Sequence, residues 1–112
     1  MWINIPSAVP KIAFTFIFYR GKFPAIQLWI GNQTKEENEI IYEKIKSHQS
    51  KLESIFPNLI WYNKPENKSK IIIFQRDKEY DFSDDSREEV MEWFSKSMQK
   101  FEKSFNPILK NL

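Results

Sequence analysis

The histidine and the acidic residues are the groups in this sequence best suited to chemistry. His48 is the only histidine, and the chain has no cysteine, which excludes disulfides, thiolate nucleophiles and cysteine-based metal sites. A lone histidine without a neighbouring nucleophile motif is more often a partly buried residue on the flank of a helix than a general base. We therefore interpret His48 as structural.

Five carboxylates cluster before the C-terminal segment: Asp77, Glu79, Asp81, Asp84 and Asp85. They lack the glycine and the closing glutamate of a calcium loop. Asp84 and Asp85 follow Ser83, a candidate N-cap, where negative charge stabilises a helix start. Glu66 and Lys70 would suit a nuclease-type set, but a pair in a hairpin turn is far more often exposed to solvent. The sequence predicts no metal site and no catalytic residues.

Glycine usage limits the cofactors that this chain can bind. Gly21 and Gly31 are the only glycines, and both the dinucleotide fingerprint and the P-loop need at least two close together. A nucleophile elbow also needs flanking glycines. We expect no cofactor and no enzymatic activity.

Length and composition define the unit that carries these residues. A chain of 112 residues with 41% hydrophobic and 29% charged residues predicts one packed domain over residues 1–112. Its net charge of +2 does not by itself indicate a nucleic-acid or membrane partner. The opening residues have no signal-peptide pattern, so cytoplasm is the expected location.

Alternating apolar residues predict five strands. Residues 12–19 and 25–30 form one hairpin around the turn at 20–22, with Ile26, Leu28 and Ile30 facing inward. The other expected strands are a short one at 2–5 and a second hairpin of 59–63 and 69–74. The hairpins together predict an antiparallel sheet.

Two amphipathic helices complete the pattern. Thr34 and Glu37 have capping-box spacing before a helix predicted over 35–56, which Pro57 stops. Its apolar stripe is Ile41, Ile45, His48, Leu52 and Ile55. A second helix follows Ser83, and its pattern fades at Pro107. The expectation is an α+β domain of order β-β-β-α-β-β-α with both helices on one face of the sheet.

Four stretches of the chain carry a family resemblance. They are the opening at 2–6, the aromatic strand at 14–19, the strand end at 27–31, and the helix that runs from Trp93-Phe94 to Phe105-Asn106-Pro107. Over nearly its whole length the sequence resembles domain of unknown function 4268. In that family the domain commonly lies at the C-terminal end of longer prokaryotic proteins, some with nuclease-like segments ahead of it. The resemblance implies an accessory role near nucleic acid, carried here by a free-standing or excised copy, and brings no catalytic residues.

The sheet face opposite the helices is the candidate interaction surface; the alternative is that its aromatic residues are simply packed under loops or the N-terminal segment. Aromatic and basic residues should meet on it or at its edges: Tyr19, Arg20, Lys22, Gln27, Trp29, Trp61, Tyr62 and Lys70. An uncovered aromatic face is typical of contact with a partner protein or a second copy. The hairpin-turn cations at one sheet edge, joined by Lys64 and Lys68, would instead suit stacked bases of nucleic acid. A protein-interaction module is the first hypothesis, and a nucleic-acid-binding module is the alternative.

Overall fold

The protein is described by a computed structural model that covers residues 3–7, 9, 12–31, 34–64, 66–80 and 87–112. Five strands form one antiparallel sheet in the order β1-β2-β3-β5-β4. The strands are β1 Ile3–Pro6, β2 Ile12–Tyr19, β3 Phe23–Ile30, β4 Ile60–Tyr62 and β5 Lys70–Gln75. The α+β class and the single antiparallel sheet are confirmed.

The two predicted hairpins are joined through their second strands. In the first hairpin, Phe14 lies opposite Leu28, and Leu28 lies opposite Ile72 of β5. All three side chains are fully buried because the period of two places them on the same face. The inward positions predicted for β3 are therefore confirmed.

Three helices are described, one more than the sequence predicted. They are α1 Lys35–Lys46, α2 Gln49–Ile55 and α3 Arg87–Lys110. The predicted cap of α1 is confirmed, since the Glu37 amide donates to the Thr34 hydroxyl at 3.2 Å. The element order is βββααββα.

The prediction of one helix over 35–56 was wrong at Ser47 and His48. The Ser47 hydroxyl donates to the Lys44 carbonyl at 2.6 Å, a side-chain contact that competes with regular helical bonding. His48 then takes φ −98° and ψ 16°, outside the helical region. The break turns the apolar stripe, so that Tyr42, Ile45 and Leu52 are buried while His48 is exposed.

Pro107 was predicted to mark the end of the last helix, but it lies inside α3. The missing amide of Pro107 removes only one bond from the final turn. Leu109, beyond it, is buried, and the Asn111 side-chain amide donates to the Pro107 carbonyl at 2.8 Å. These contacts hold the last turn in place. The predicted cap Ser83 lies outside the described residues.

The hydrophobic core lies between the sheet and the three helices, and aromatic rings dominate it. Phe56 contacts both Phe101 and Phe105, with ring centroids 5.1 and 6.0 Å apart. Phe14 meets Phe101 edge-on at 5.7 Å. The core therefore connects the end of α2, the C-terminal half of α3 and the first half of β2, and all of this packing is on one face of the sheet.

Candidate interaction surface

The register of the strands defines the face of the sheet that points away from the helices, hereafter the outward face. It comprises the residues that alternate with the core positions of the four strands β2 to β5: Ala13, Thr15, Ile17, Tyr19, Phe23, Ala25, Gln27, Trp29, Ile60, Tyr62, Ile71, Ile73 and Gln75. None of these residues is charged. Four are aromatic and six are aliphatic, so the outward face is largely apolar.

The outward face is partly open to solvent. Thr15, Ala25 and Ile73 are buried among their neighbours, whereas the other members keep intermediate exposure. The described helices contribute core residues that pack against the other set of strand residues, such as Phe14, Leu28 and Ile72. Those strand residues point to the opposite side of the sheet from the outward face. The described helices thus pack on the other face of the sheet and leave this aromatic face partly exposed.

Trp29 lies flat along the outward face at its end. A Cβ atom placed on Gly31 would come within 2.3 Å of Trp29 Cζ2 and within 2.8 Å of the rest of the near edge of the ring. The indole therefore occupies the space above Gly31, which is buried beneath it. Gly31 has a packing role there: it is the residue that lets Trp29 lie down on the sheet.

Cations flank the outward face at its two ends. The Arg20 guanidinium lies 5.4 Å from the Tyr19 ring centroid, and the Lys64 ammonium lies 5.3 Å from that of Tyr62. The pKa of Lys64 is raised, and the largest cause is a hydrogen bond with the Tyr62 side chain. Arg20 and Lys64 therefore each have an aromatic partner on the face.

The predicted gathering of these cations at one edge was wrong. Arg20 and Lys22 lie in the β2–β3 turn, beside the start of β3, whereas Lys64 and Lys68 precede Lys70, which pairs with Ile30 at the end of β3. Seven residue steps separate these ends, about 23 Å at strand rise. The antiparallel order of the two hairpins places their turns at opposite ends of the sheet.

Two of the predicted surface residues lie on the helix side. Trp61 pairs with Ile72, and its ring meets the buried Tyr42 edge-on at 6.2 Å. Lys70 pairs with Ile30 and is completely buried. Both follow the parity of the core positions, so neither belongs to the outward face, and Lys70 is not the solvent-exposed turn residue that was expected.

The buried ammonium of Lys70 is held by three oxygens. It donates to the Lys64 and Asn67 carbonyls, each at 3.2 Å, and lies 3.2 Å from Glu39 Oε2 of α1. A buried ammonium has three protons, and here each has an acceptor. Lys70 therefore ties the β4–β5 connection to the first helix.

Glu39 is the one charged partner in this network. The Asn63 side-chain amide donates to Glu39 Oε1 at 3.1 Å. The hydrogen bond from Asn63 is the largest cause that lowers the pKa of Glu39 below its usual value, and the hydrogen bond from Lys70 is the second. Glu39 and Asn63 line a cleft of about 380 Å³ together with Lys35 and Glu36. This network was not predicted from the sequence, although Lys70 has the same strand parity as the core residue Ile72, which was a signal for its burial.

The groups first considered for catalysis are spread apart. His48 is exposed beside a cleft of about 390 Å³ whose other side is formed by Pro107 and Asn111. Asp77 and Glu79 are exposed, while Asp81, Asp84 and Asp85 lie outside the described residues. Across the described ranges, no three histidine, cysteine or carboxylate groups converge on a metal-sized site.

This fold and this face define an α+β domain with a helix-covered sheet and an open aromatic surface. The chain belongs to the family described as domain of unknown function 4268, whose model matches residues 1–109. The expected family is thereby confirmed. Comparison with curated proteins and with solved structures found no match. In the part of the chain that the structure describes, no helix is long and apolar enough to cross a membrane.

Proposed function

We propose that this protein is a non-enzymatic interaction domain whose outward face packs against another protein surface, and in the first place against the outward face of a second copy. The observation that carries the proposal is the partial exposure of aromatic and aliphatic side chains on a sheet face that the described helices do not cover. Exposed apolar patches of this kind mark contact sites in folded domains.

The size of the face suits a modest interface. Four strands about 4.8 Å apart and up to eight residues long give a face of roughly 20 by 26 Å, or about 500 Å². Covering it on two partners would bury about 1,000 Å², the lower end of specific interfaces. Such an area supports a weak complex that forms with rising concentration.

The chemistry of the face also suits a second copy. Because none of its members is charged, two outward faces can meet without burying an unpaired charge. Gln27, which lies opposite Thr15 of β2, provides a partly exposed amide near the centre of the face. The cations at both ends stay at the rim, where they remain solvated.

Light scattering at several protein concentrations tests the proposal. We expect the apparent mass to rise towards twice that of one chain, and the rise to disappear in Ile17→Lys and Ile71→Lys, which place a charge on the face. Ile40→Lys is the matched control, because Ile40 is 56% exposed on α1, away from the face. A single-chain mass at every concentration, or a loss of association in the Ile40 variant alone, rejects the second copy as the partner.

Nucleic acid is the second candidate, favoured by the pairing of Tyr19 with Arg20 and of Tyr62 with Lys64. Aromatic rings beside cations can stack bases and hold phosphates. The same scattering experiment with a short single-stranded oligonucleotide tests it. A complex that forms with the oligonucleotide, dissolves in high salt and is lost in Tyr62→Ser would place nucleic-acid binding first.

A further inference from the structure

Strand β5 extends beyond its neighbour β4 at one end. Only Ile71, Ile72 and Ile73 of β5 pair with β4, so the last two residues of β5 have a strand partner on the β3 side alone. The chain leading into β4 turns away here, since Asn58 takes a left-handed φ of 62°. The result is a short open edge at Phe74 and Gln75.

The backbone of Gln75 points into that open edge. Gln75 lies opposite Ala25, and the next amide, of Arg76, donates to the Pro24 carbonyl at 2.8 Å. Bonded and non-bonded pairs alternate along an antiparallel ladder, so the Ala25–Gln75 pair is a non-bonded one. The amide and carbonyl of Gln75 therefore face away from β3, and no hydrogen bond from a described residue reaches them.

An aromatic cleft lies beside these groups. It has a volume of about 300 Å³, and its walls include Asn58, Phe74 and Trp93. The Phe74 and Trp93 rings are stacked, with centroids 5.8 Å apart and planes 21° apart. The volume is at the small end of ligand sites, which suits one apolar side chain rather than a cofactor.

The charges around the cleft favour a neutral ligand. Arg76 lines it and is 9% exposed, and its guanidinium donates to the Glu89 carboxylate. Lys78 also approaches Glu89, and Asp77 lines the cleft. Two basic and two acidic groups therefore balance, so a polyphosphate finds no net attraction here.

We propose that this cleft binds an extended, uncharged peptide segment of another protein as a short added strand. The segment exchanges backbone hydrogen bonds with Gln75 and places one apolar side chain against Trp93. Strand addition uses an unpaired sheet edge for affinity and a neighbouring pocket for side-chain choice, and both are present at this point. The site is separate from the outward face, because it opens in the plane of the sheet.

The test uses capped seven-residue peptides of alternating valine and threonine, with a central residue of leucine, phenylalanine, alanine or glutamate. Binding is followed by NMR through the amide signals of the full chain. We expect leucine or phenylalanine peptides to shift the Gln75 amide and to protect it from exchange. The alanine and glutamate peptides should bind at least about tenfold more weakly, as expected when the pocket is left empty or receives a charge.

Peptide N-methylation provides the matched control, since it leaves the protein unchanged. Methylating the amide that meets the Gln75 carbonyl should weaken binding about tenfold, whereas methylating its neighbour, which points away, should have little effect. Equal effects at both positions would refute strand addition. Absence of any Gln75 shift at millimolar peptide, or shifts confined to the outward face, would refute the site itself.

Discussion

Gly31→Ala gives the sharpest test of the geometry of the outward face. The new methyl group would start 2.3 Å from Trp29 Cζ2, and ordinary contact begins at 3.4 Å, so the indole has to move by about 1 Å. The backbone can accept alanine, because Gly31 is not among the positive-φ residues. The whole penalty therefore comes from the contact with one ring.

The magnitude follows from two opposing effects. Overpacking of this kind destabilises by about 1–3 kcal/mol, whereas replacing glycine in an extended segment returns about 0.5–1 kcal/mol. We expect a net loss of about 1–2 kcal/mol in urea unfolding, with a change in tryptophan fluorescence. In a Trp29→Ala background the clash is absent, and Gly31→Ala should become neutral or stabilising.

The double-mutant cycle decides the outcome. A coupling free energy of about 1–3 kcal/mol between the two positions is expected, since they are in direct contact. If Gly31→Ala destabilises equally with and without Trp29, the indole does not lie over Gly31. Trp29 would then not lie flat on the outward face at this end of the sheet.

Three further predictions concern Lys70, its partner Glu39 and the buried Tyr42. Lys70→Met should lower the free energy of unfolding by about 2 kcal/mol, because two carbonyls lose their donor, while Lys35→Met, on the exposed start of α1, should change it little. Because the pKa of Glu39 is lowered in the folded chain, its contribution to stability is present above pH 4.5 and is lost as pH falls through the folded-state pKa. Glu39→Gln should therefore make the free energy of unfolding less dependent on pH in the acid range. The pKa of Tyr42 is raised from 10.0 to about 12, mainly by burial and then by the charges of Glu43 and Glu39. The contribution of Tyr42 to the free energy of unfolding should therefore be complete below pH 10, and about 3 kcal/mol should be lost as pH rises through 12. The part of the tyrosinate absorbance that Tyr42 contributes near pH 12 should be missing in Tyr42→Phe, and an unchanged titration would contradict the burial of that hydroxyl.

The strands were predictable because one side of each is buried and the other is not. In β2, Phe14 and Thr15 differ in kind, and a shift by one residue would exchange core and surface. The parity of β3 followed from Leu28 in the same way. This is why the outward positions of Tyr19, Gln27 and Trp29 were predicted correctly.

The second hairpin was harder because its residues carry no comparable contrast. Ile71, Ile72 and Ile73 are identical in type, and Trp61 and Tyr62 are both amphipathic aromatics, so the parity depends on which neighbour strand they meet. Pairing of β5 with β3 fixes it, and that contact is set by tertiary packing. Lys70 shows the physical limit: a lysine is buried only when acceptors are assembled around it, and Lys64, Asn67 and Glu39 come together only in the folded chain.

The helix break has a similar origin. Neither Ser47 nor His48 is a glycine or a proline, so the local sequence permits one continuous helix. The core requires both Ile45 and Phe56 to be fully buried against the same sheet, on either side of the break. Packing therefore decides the local geometry against the helical pattern, and His48 is left exposed at the point where the direction changes.

The two proposed binding sites meet at one residue, and this makes them separable by experiment. Gln75 presents its side chain to the outward face, while its backbone points along the plane of the sheet towards the aromatic cleft. Lysine substitutions at Ile17 or Ile71 alter only the outward face, and peptide N-methylation alters only the bonds in the sheet plane. Because a strand separates its side-chain and backbone directions in this way, failure at one surface leaves the other intact.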